Sequence, residues 1–176
     1  MYPAGYDTWV EVDRLTKRLE GATRPTHFRG VTTVVAKLFN VVGAASAYFG
    51  QKDAQQALVI QKMATDLNMD TRVVVCPTVR EPDGLAMSSR NTYLTPVQRK
   101  AAPVLYGSLV LAQELYSKGE RNAGNIRRAM TELIRKEPEA QVDYVSVADP
   151  QTLDELDIIT DKALVSLAVK VGKPRL

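Results

Sequence analysis

The segment that most restricts the fold runs from Ser46 to Pro77. It reads SAYFG, then QKD, then a helical pattern, then TRVVVCP. The two apolar, β-rich runs have strand length and strand composition. Between them Asp53 stands where a helix N-cap is favoured. Ala54, Leu58, Val59, Met63 and Leu67 then recur at helical spacing, which predicts a helix over 54–67. Strand, helix and strand in so short a span make the unit of a parallel sheet with a right-handed crossover. The chain is therefore expected to be α/β.

The flanks extend this reading. TWVEV at 8–12 alternates and predicts a strand. FRGVTTVVAKLFNVVG is long and largely apolar, which predicts a buried helix stopped by Gly43. Beyond the second strand, Pro82, Asp83 and Gly84 set a turn in REPDGLAMSSRN, the best place for a hinge or boundary. Thr95 as N-cap and Pro96 at the first helical position open a helix to about Lys118, closed by Gly119. A second helix is expected over 122–136, before Pro138. QVDYVSVAD and KALVSLAVKV alternate and read as strands. Helices followed by strands make a small α+β unit.

With 176 residues the chain can build one sizeable core, or a medium domain and a small one. No apolar run is long enough to span a bilayer, and charges throughout residues 1–20 rule out a secretory signal there. The single Cys76 cannot form an internal disulfide, which fits a reducing cytoplasm. One Cys and one His leave no zinc cluster, and no protein-held metal site is expected. The net charge is +3, with Lys and Arg spread along the chain. The densest group, Arg127-Arg128 with Arg135-Lys136, reads as a solvated helix face. Aromatic residues make up only 6%, too few to interleave a basic stripe, so nucleic-acid binding is not expected. A mild positive balance does suit an anionic small substrate.

Two stretches carry candidate chemistry. The first is Gly50-Gln51-Lys52-Asp53, at the carboxyl end of a parallel strand and the start of a helix. Ligands of parallel α/β sheets bind at such ends, where a helix N-terminus offers N–H groups to an anion. Gly50 permits close backbone approach, Lys52 suits a phosphate, and Asp53 can cap the helix or accept from a ribose hydroxyl. Gln56, on the same side as Asp53, is placed for a small polar substrate. The same pattern also describes a capped helix with a surface Lys and Gln. The second stretch is Met87-Ser88-Ser89-Arg90-Asn91. Two hydroxyls and a guanidinium in a flexible segment make a triphosphate clamp that closes over a nucleotide, or a polar surface loop. The lone His27 reads as structural, and Cys76 as a buried small apolar residue. The role of Arg29 stays open.

YFGQKDAQQALVIQKM and VREPDGLAMSSRNTYLTPVQRKAAPVLY resemble the pantoate–β-alanine ligase (pantothenate synthetase) family. LEGATRPTHFRGVTTVVAKLFN, DYVSVADPQTL and the closing GKPRL do as well, so the resemblance covers the whole chain. It implies a core like that of class I aminoacyl-tRNA synthetases. Residues 1–79 would be the second part of a Rossmann-like ATP- and pantoate-binding nucleotidyltransferase domain, and 80–176 a small α+β C-terminal lid. The implied reaction is ATP-dependent. Pantoate forms pantoyl adenylate with release of pyrophosphate and magnesium assisting, and β-alanine then displaces AMP. The family's homodimer is the implied assembly.

Residue by residue, Gly50, Lys52 and Asp53 look like the family's Gly-Glu-Lys-Asp nucleotide motif, with Gln51 where Glu is usual. Lys52 would hold ATP phosphate, Asp53 the ribose, and Gln56 pantoate. Val79 would meet adenine through its backbone. Met87, Ser88, Ser89 and Arg90 look like the family's Leu/Met-Ser-Ser-Arg segment, similar to the mobile Lys-Met-Ser-Lys-Ser loop of the synthetases, with its serines and arginine on the leaving pyrophosphate. The resemblance reaches only the last three-fifths of the family's length. With one histidine the chain cannot hold the family's His-x-Gly-His motif, which lies in the preceding half with a further substrate glutamine and the magnesium-side aspartates. The expectation is thus a ligase whose site is incomplete in this chain alone. The alternative is a non-catalytic fragment that binds nucleotide weakly or only pairs with another chain. An isolated half-sheet of this kind is expected to expose an apolar edge and face.

Overall fold

The computed structural model describes residues 1–176, which form two compact units, Met1–Thr78 and Val79–Leu176. In the first, helix α1 (Leu19–Thr23) and helix α2 (His27–Val42) precede strand β1 (Ser46–Gly50), helix α3 (Ala54–Asp66) and strand β2 (Arg72–Cys76). β1 and β2 pair in parallel, from Ser46 opposite Arg72 to Gly50 opposite Cys76. The strand–helix–strand unit read from the sequence is present, and Gly43 ends α2 in the left-handed conformation.

The core of this unit is made by Val35, Ala36 and Phe39 of α2 against Ile60, Met63 and Ala64 of α3, with Phe49 and Val73 packed on them. Burial of each large apolar side chain here stabilises the fold by about 1.5–3 kcal/mol. α2 is not buried all round, contrary to what its composition predicts. Val41 and Val42, at its end, are 81% and 68% exposed, and Tyr48 on β1 is 67% exposed. Inside this unit α2 has α3 on one side, and a two-stranded sheet is too narrow to cover the rest.

Residues 8–12 are not a strand. The alternation is that of a strand, but no β partner lies beside them. They lie along α2, where the Val10 N–H donates to Thr33 Oγ1 at 3.0 Å and the Thr32 hydroxyl donates to the Val10 carbonyl. Val10 and Val12 turn inward onto the core. Hydroxyls of a helix thus replace the ladder partner that a strand needs.

In the second unit, helices α4 (Pro96–Ala101), α5 (Val104–Ser117) and α6 (Ala123–Ile134) precede strands β3 (Ala140–Ala148) and β4 (Leu164–Val171), which pair antiparallel. The expected single helix to Lys118 is two helices. Pro103 separates them, because it has no N–H for the i−4 carbonyl and its ring clashes with that turn. Thr95 caps α4 in a reciprocal box with Gln98. Asn122 caps α6. Ala112, Ile126, Met130, Val147 and Ile159 form one buried group. Leu105, Ile134, Val169 and Val171 form another, so helices cover one face of the sheet. After β4 the chain turns at Gly172 (φ 64°) and runs back along it. Val169 exchanges two backbone hydrogen bonds with Leu176. Arg127 does not lie free on the helix face: its guanidinium donates to Glu155 and to the carbonyls of Val147 and Leu156. Arg128, Arg135 and Lys136 are exposed. No helix is long and apolar enough to cross a membrane.

Candidate functional site

The first group of candidate residues sits where β1 ends. Gly50 pairs with Cys76 at the carboxyl ends of both strands. Gln51, Lys52 and Asp53 make one 3-10 turn, and α3 starts at Ala54. Gly50 has an ordinary extended conformation (φ −73°, ψ 135°), so backbone strain does not demand glycine there. A Cβ built on it meets nothing within 4 Å. The position lies beside open space at a strand end, the place a ligand would approach closely.

Lys52 and Asp53 face each other, with Nζ 3.6 Å from Oδ1, and their side chains are 30% and 61% exposed. Asp53 occupies the N-cap position, but its side chain accepts no capping hydrogen bond. That corrects the sequence reading of Asp53 as a cap. Its φ of −100° and ψ of 58° lie outside the extended geometry of a capping residue, and its carboxylate turns to Lys52 instead. The N–H groups that open α3 therefore receive no acceptor from this side chain.

The two glutamines of α3 differ. Gln55 is buried. Its Nε2 donates to the carbonyls of Leu15 and Arg18, both at 2.8 Å, and its Oε1 accepts the Glu20 N–H at 3.0 Å. Gln56 is half-buried and enters none of the hydrogen bonds that hold this unit together. One glutamine is structural and its neighbour is left available. The sequence did signal this: Gln55 shares a helix face with Val59 and Met63, at i, i+4 and i+8.

His27 opens α2 with its ring 5.0 Å from that of Phe28, and Arg29 lies over the Trp9 ring at 5.2 Å. Cys76 is only partly buried, because it ends β2 at the rim of the sheet, so the fully buried position expected for it is not found.

The second group belongs to the second unit. Residues 79–87 fold as a tight hairpin. Met87 N–H donates to the Val79 carbonyl at 3.0 Å, Glu81 N–H to Leu85, and Gly84 N–H to Glu81. Gly84 (φ 88°) is required twice. The left-handed backbone disfavours a side chain, and a Cβ would lie 2.1 Å from the Tyr106 ring. The guanidinium of Arg80 lies over the Tyr106 ring, 4.2 Å from its centroid, and donates to the Gly84 carbonyl at 3.1 Å. Val79 and Met87 are 66% and 53% exposed at the hairpin's open end.

Ser88 caps a 3-10 turn over Ser89–Tyr93, accepting the Arg90 N–H at 3.2 Å. Asn91 donates to the Ala86 carbonyl and Thr92 to that of Ser89. The Arg90 guanidinium donates to the Arg175 carbonyl at 3.2 Å. The stretch is a hydrogen-bonded turn in which Ser89 and Arg90 are exposed and Ser88 is half-buried.

Asp83 ties the hairpin to α4 through Arg99. The hydrogen bond from Arg99 holds the Asp83 carboxyl below its ordinary value of 3.8, and the Leu85 N–H assists. Glu120 is lowered by the N–H of Asn122, and Asp149 by that of Thr152. A carboxyl lowered in the fold contributes stability above its unfolded value and loses it as pH falls through the folded one. The second unit is therefore expected to hold a constant unfolding midpoint through neutral pH and to lose stability below about pH 4. Asp83→Asn should flatten part of that acid limb in a thermal series, and an unchanged limb would remove Asp83 from the account.

No group of three or more His, Cys, Asp or Glu side chains is gathered to hold a metal ion. At the strand end Asp53 is the one carboxylate of its motif and it faces Lys52, so these residues do not form a magnesium cage.

The whole chain, residues 1–176, matches the family described as pantoate-beta-alanine ligase. The chain belongs to that family. A pantothenate synthetase from Herpetosiphon aurantiacus is 59% identical over 177 residues, covering 100% of this chain and 64% of the relative. A crystal structure of pantothenate synthetase from Thermus thermophilus superposes with a TM-score of 0.95 at 46% identity, over 100% of this chain and 64% of that one. Pantoate-beta-alanine ligase from Francisella tularensis, solved in complex with β,γ-ATP and β-alanine, matches with a TM-score of 0.70 at 29% identity. It covers 99% of this chain and 58% of that protein. The chain thus spans less than two thirds of the length of these ligases. Its likeness to solved members of the ligase family covers both units.

Proposed function

We propose that this chain carries part of the site of an ATP-dependent ligase that joins (R)-pantoate to β-alanine through pantoyl adenylate. The observation that carries the reading is the family match over all 176 residues. The open strand end with Gly50, Lys52, Asp53 and Gln56 supports it chemically, and so does the Francisella ligase found with an ATP analogue and β-alanine.

In the first step a pantoate carboxylate oxygen attacks the α-phosphorus of ATP. The bond from that phosphorus to the bridging oxygen breaks, and pyrophosphate leaves. Lys52 offsets the charge that builds on the phosphates, a preorganised electrostatic role. Asp53 accepts from the ribose hydroxyls, while Gly50 and Gln51 line the approach. Gln56 donates to pantoate and orients its carboxylate. Val79 supplies backbone polar groups to the adenine edge, beside the Met87 side chain. Ser88, Ser89 and Arg90 bind the departing pyrophosphate, with Arg90 suited to a bidentate grip.

In the second step the β-alanine amine attacks the acyl carbon. AMP departs with the acyl oxygen, an amide forms and a proton is released. No covalent bond to the protein is needed. Magnesium belongs to the ATP that enters, and no role above depends on it. Residues 1–79 act as the nucleotide and pantoate domain, 80–176 as the lid. The setting is the cytoplasm, and the assembly a homodimer.

The test is AMP release from ATP by the purified chain with magnesium, pantoate and β-alanine, each omitted in turn. Substrate-dependent AMP from the chain alone would mean that the 176 residues hold a complete site. AMP that appears only when the remaining third of a ligase is added would mean that they hold part of one. No AMP in either arrangement would overturn the proposal.

A further inference from the structure

β3 carries one irregularity. Val142 pairs with Val169 and Tyr144 with Ala168, so Asp143 has no register partner and forms a bulge. Bulges re-aim a side chain. Here the freed carboxylate meets the guanidinium of Arg175, with Oδ2 2.8 Å from Nε and 2.7 Å from Nη2. The Tyr144 ring lies 5.8 Å from the same guanidinium. Arg175 is in the short return strand beside β4, opposite Lys170. Its backbone carbonyl is the acceptor that holds the Arg90 guanidinium.

A second tie reaches the same corner. Gly172, at the turn before Arg175, packs so closely on Gln98 that a Cβ would fall 2.1 Å from its Nε2. Gln98 is half of the capping box that starts α4, right after the Ser88–Tyr93 turn. The return strand is thus braced from both sides.

We propose that Asp143 is a positioning residue: by clamping Arg175 it fixes the carbonyl that aims Arg90 at a pyrophosphate group. This rests on the reading above that Arg90 meets the leaving phosphates. Asp143 touches no substrate. Its effect passes through a backbone carbonyl, so Arg175→Gln, which keeps that carbonyl but loses the clamp, should imitate Asp143→Asn.

The experiment titrates inorganic pyrophosphate into the 176-residue chain by calorimetry, with side-chain NMR of the arginine Nη groups alongside. Asp143→Asn and Arg175→Gln are each expected to weaken binding roughly 3- to 10-fold, and to add nothing in an Arg90→Ala background. The Arg90 Nη signals, distinct when one N–H is held, should average in Asp143→Asn and return in Asp143→Glu. Should Asp143→Asn not fold, Arg175→Gln carries the same reading. Weaker binding in Arg90→Ala but not in the other two, or effects that simply add, would overturn the Asp143 role and leave the phosphate role of Arg90 standing. If wild type binds no pyrophosphate, or Arg90→Ala binds it equally well, the phosphate reading itself falls and this inference falls with it. The Nη signals then still decide whether Asp143 orders this guanidinium.

Discussion

Lys52→Ala is expected, in the chain completed by the remaining third of a ligase, to lower pantoate-dependent ATP–pyrophosphate exchange by about 10²–10³-fold, the usual effect of losing one preorganised electrostatic donor. Lys52 sits in the 3-10 turn before α3. Its ammonium stands 3.6 Å from Asp53 and the side chain is 30% exposed. It is therefore held near the strand end before any phosphate arrives. Its removal should leave the unfolding midpoint almost unchanged, since an exposed ion pair of this length contributes little. Lys52→Arg should not restore the rate, because a planar fork cannot replace a compact charge in the same space. Exchange near the wild-type rate in Lys52→Ala would sink the assignment. A raised KM for ATP with kcat intact would make Lys52 a ground-state anchor only.

The strand–helix–strand unit was legible because each of its signals is local. An aromatic run and a β-branched run of strand length, with a helical apolar stripe between them, all lie within a few residues of what they decide. Three features were not legible, each for a physical reason. TWVEV has the alternation of a strand, but its partner turned out to be two threonine hydroxyls on α2, a contact that no pattern in the segment announces. The helix expected over 95–118 contained its own warning in Pro103, which the apolar spacing on both sides outweighed. Asp53 had the residue type of a cap, yet Lys52 beside it offers a charge partner that pulls the carboxylate away.

The candidate site divides in the same way. Its two motifs stand out as short runs, each with its own candidate chemistry. What anchors Arg90 could not, because Asp143, Arg175 and Arg90 are far apart in sequence and meet only through a bulge and a return strand. Gly21 is also fixed by a contact: a Cβ there would lie 1.7 Å from the Thr16 carbonyl. Its place in the motif is explained by that packing.

The adjacent glutamines of α3 offer the sharpest separation of fold from function. Gln55→Ala is expected to cost about 2–4 kcal/mol of stability, because it takes the amide partner from the buried Leu15 carbonyl and from the Glu20 N–H, while the Arg18 carbonyl keeps the Gly21 N–H. Gln55→Leu should do no better, since filling the volume leaves the same backbone groups unpaired. Loss of this clamp frees residues 15–20 from α3, so in a urea series the midpoint should drop. Gln56→Ala should stay within about 0.5 kcal/mol of wild type, as expected of a side chain that holds nothing in the fold. Its effect should fall on substrate. One lost hydrogen bond to pantoate raises KM by about 10-fold in the ligase assay, with the ATP dependence unchanged. A large stability loss in Gln56→Ala, or an unaltered pantoate KM, would show that the two neighbours had been given the wrong tasks. The helix itself makes the division sensible. One residue along α3 turns the side chain by about 100°, enough to carry an amide off the packed face.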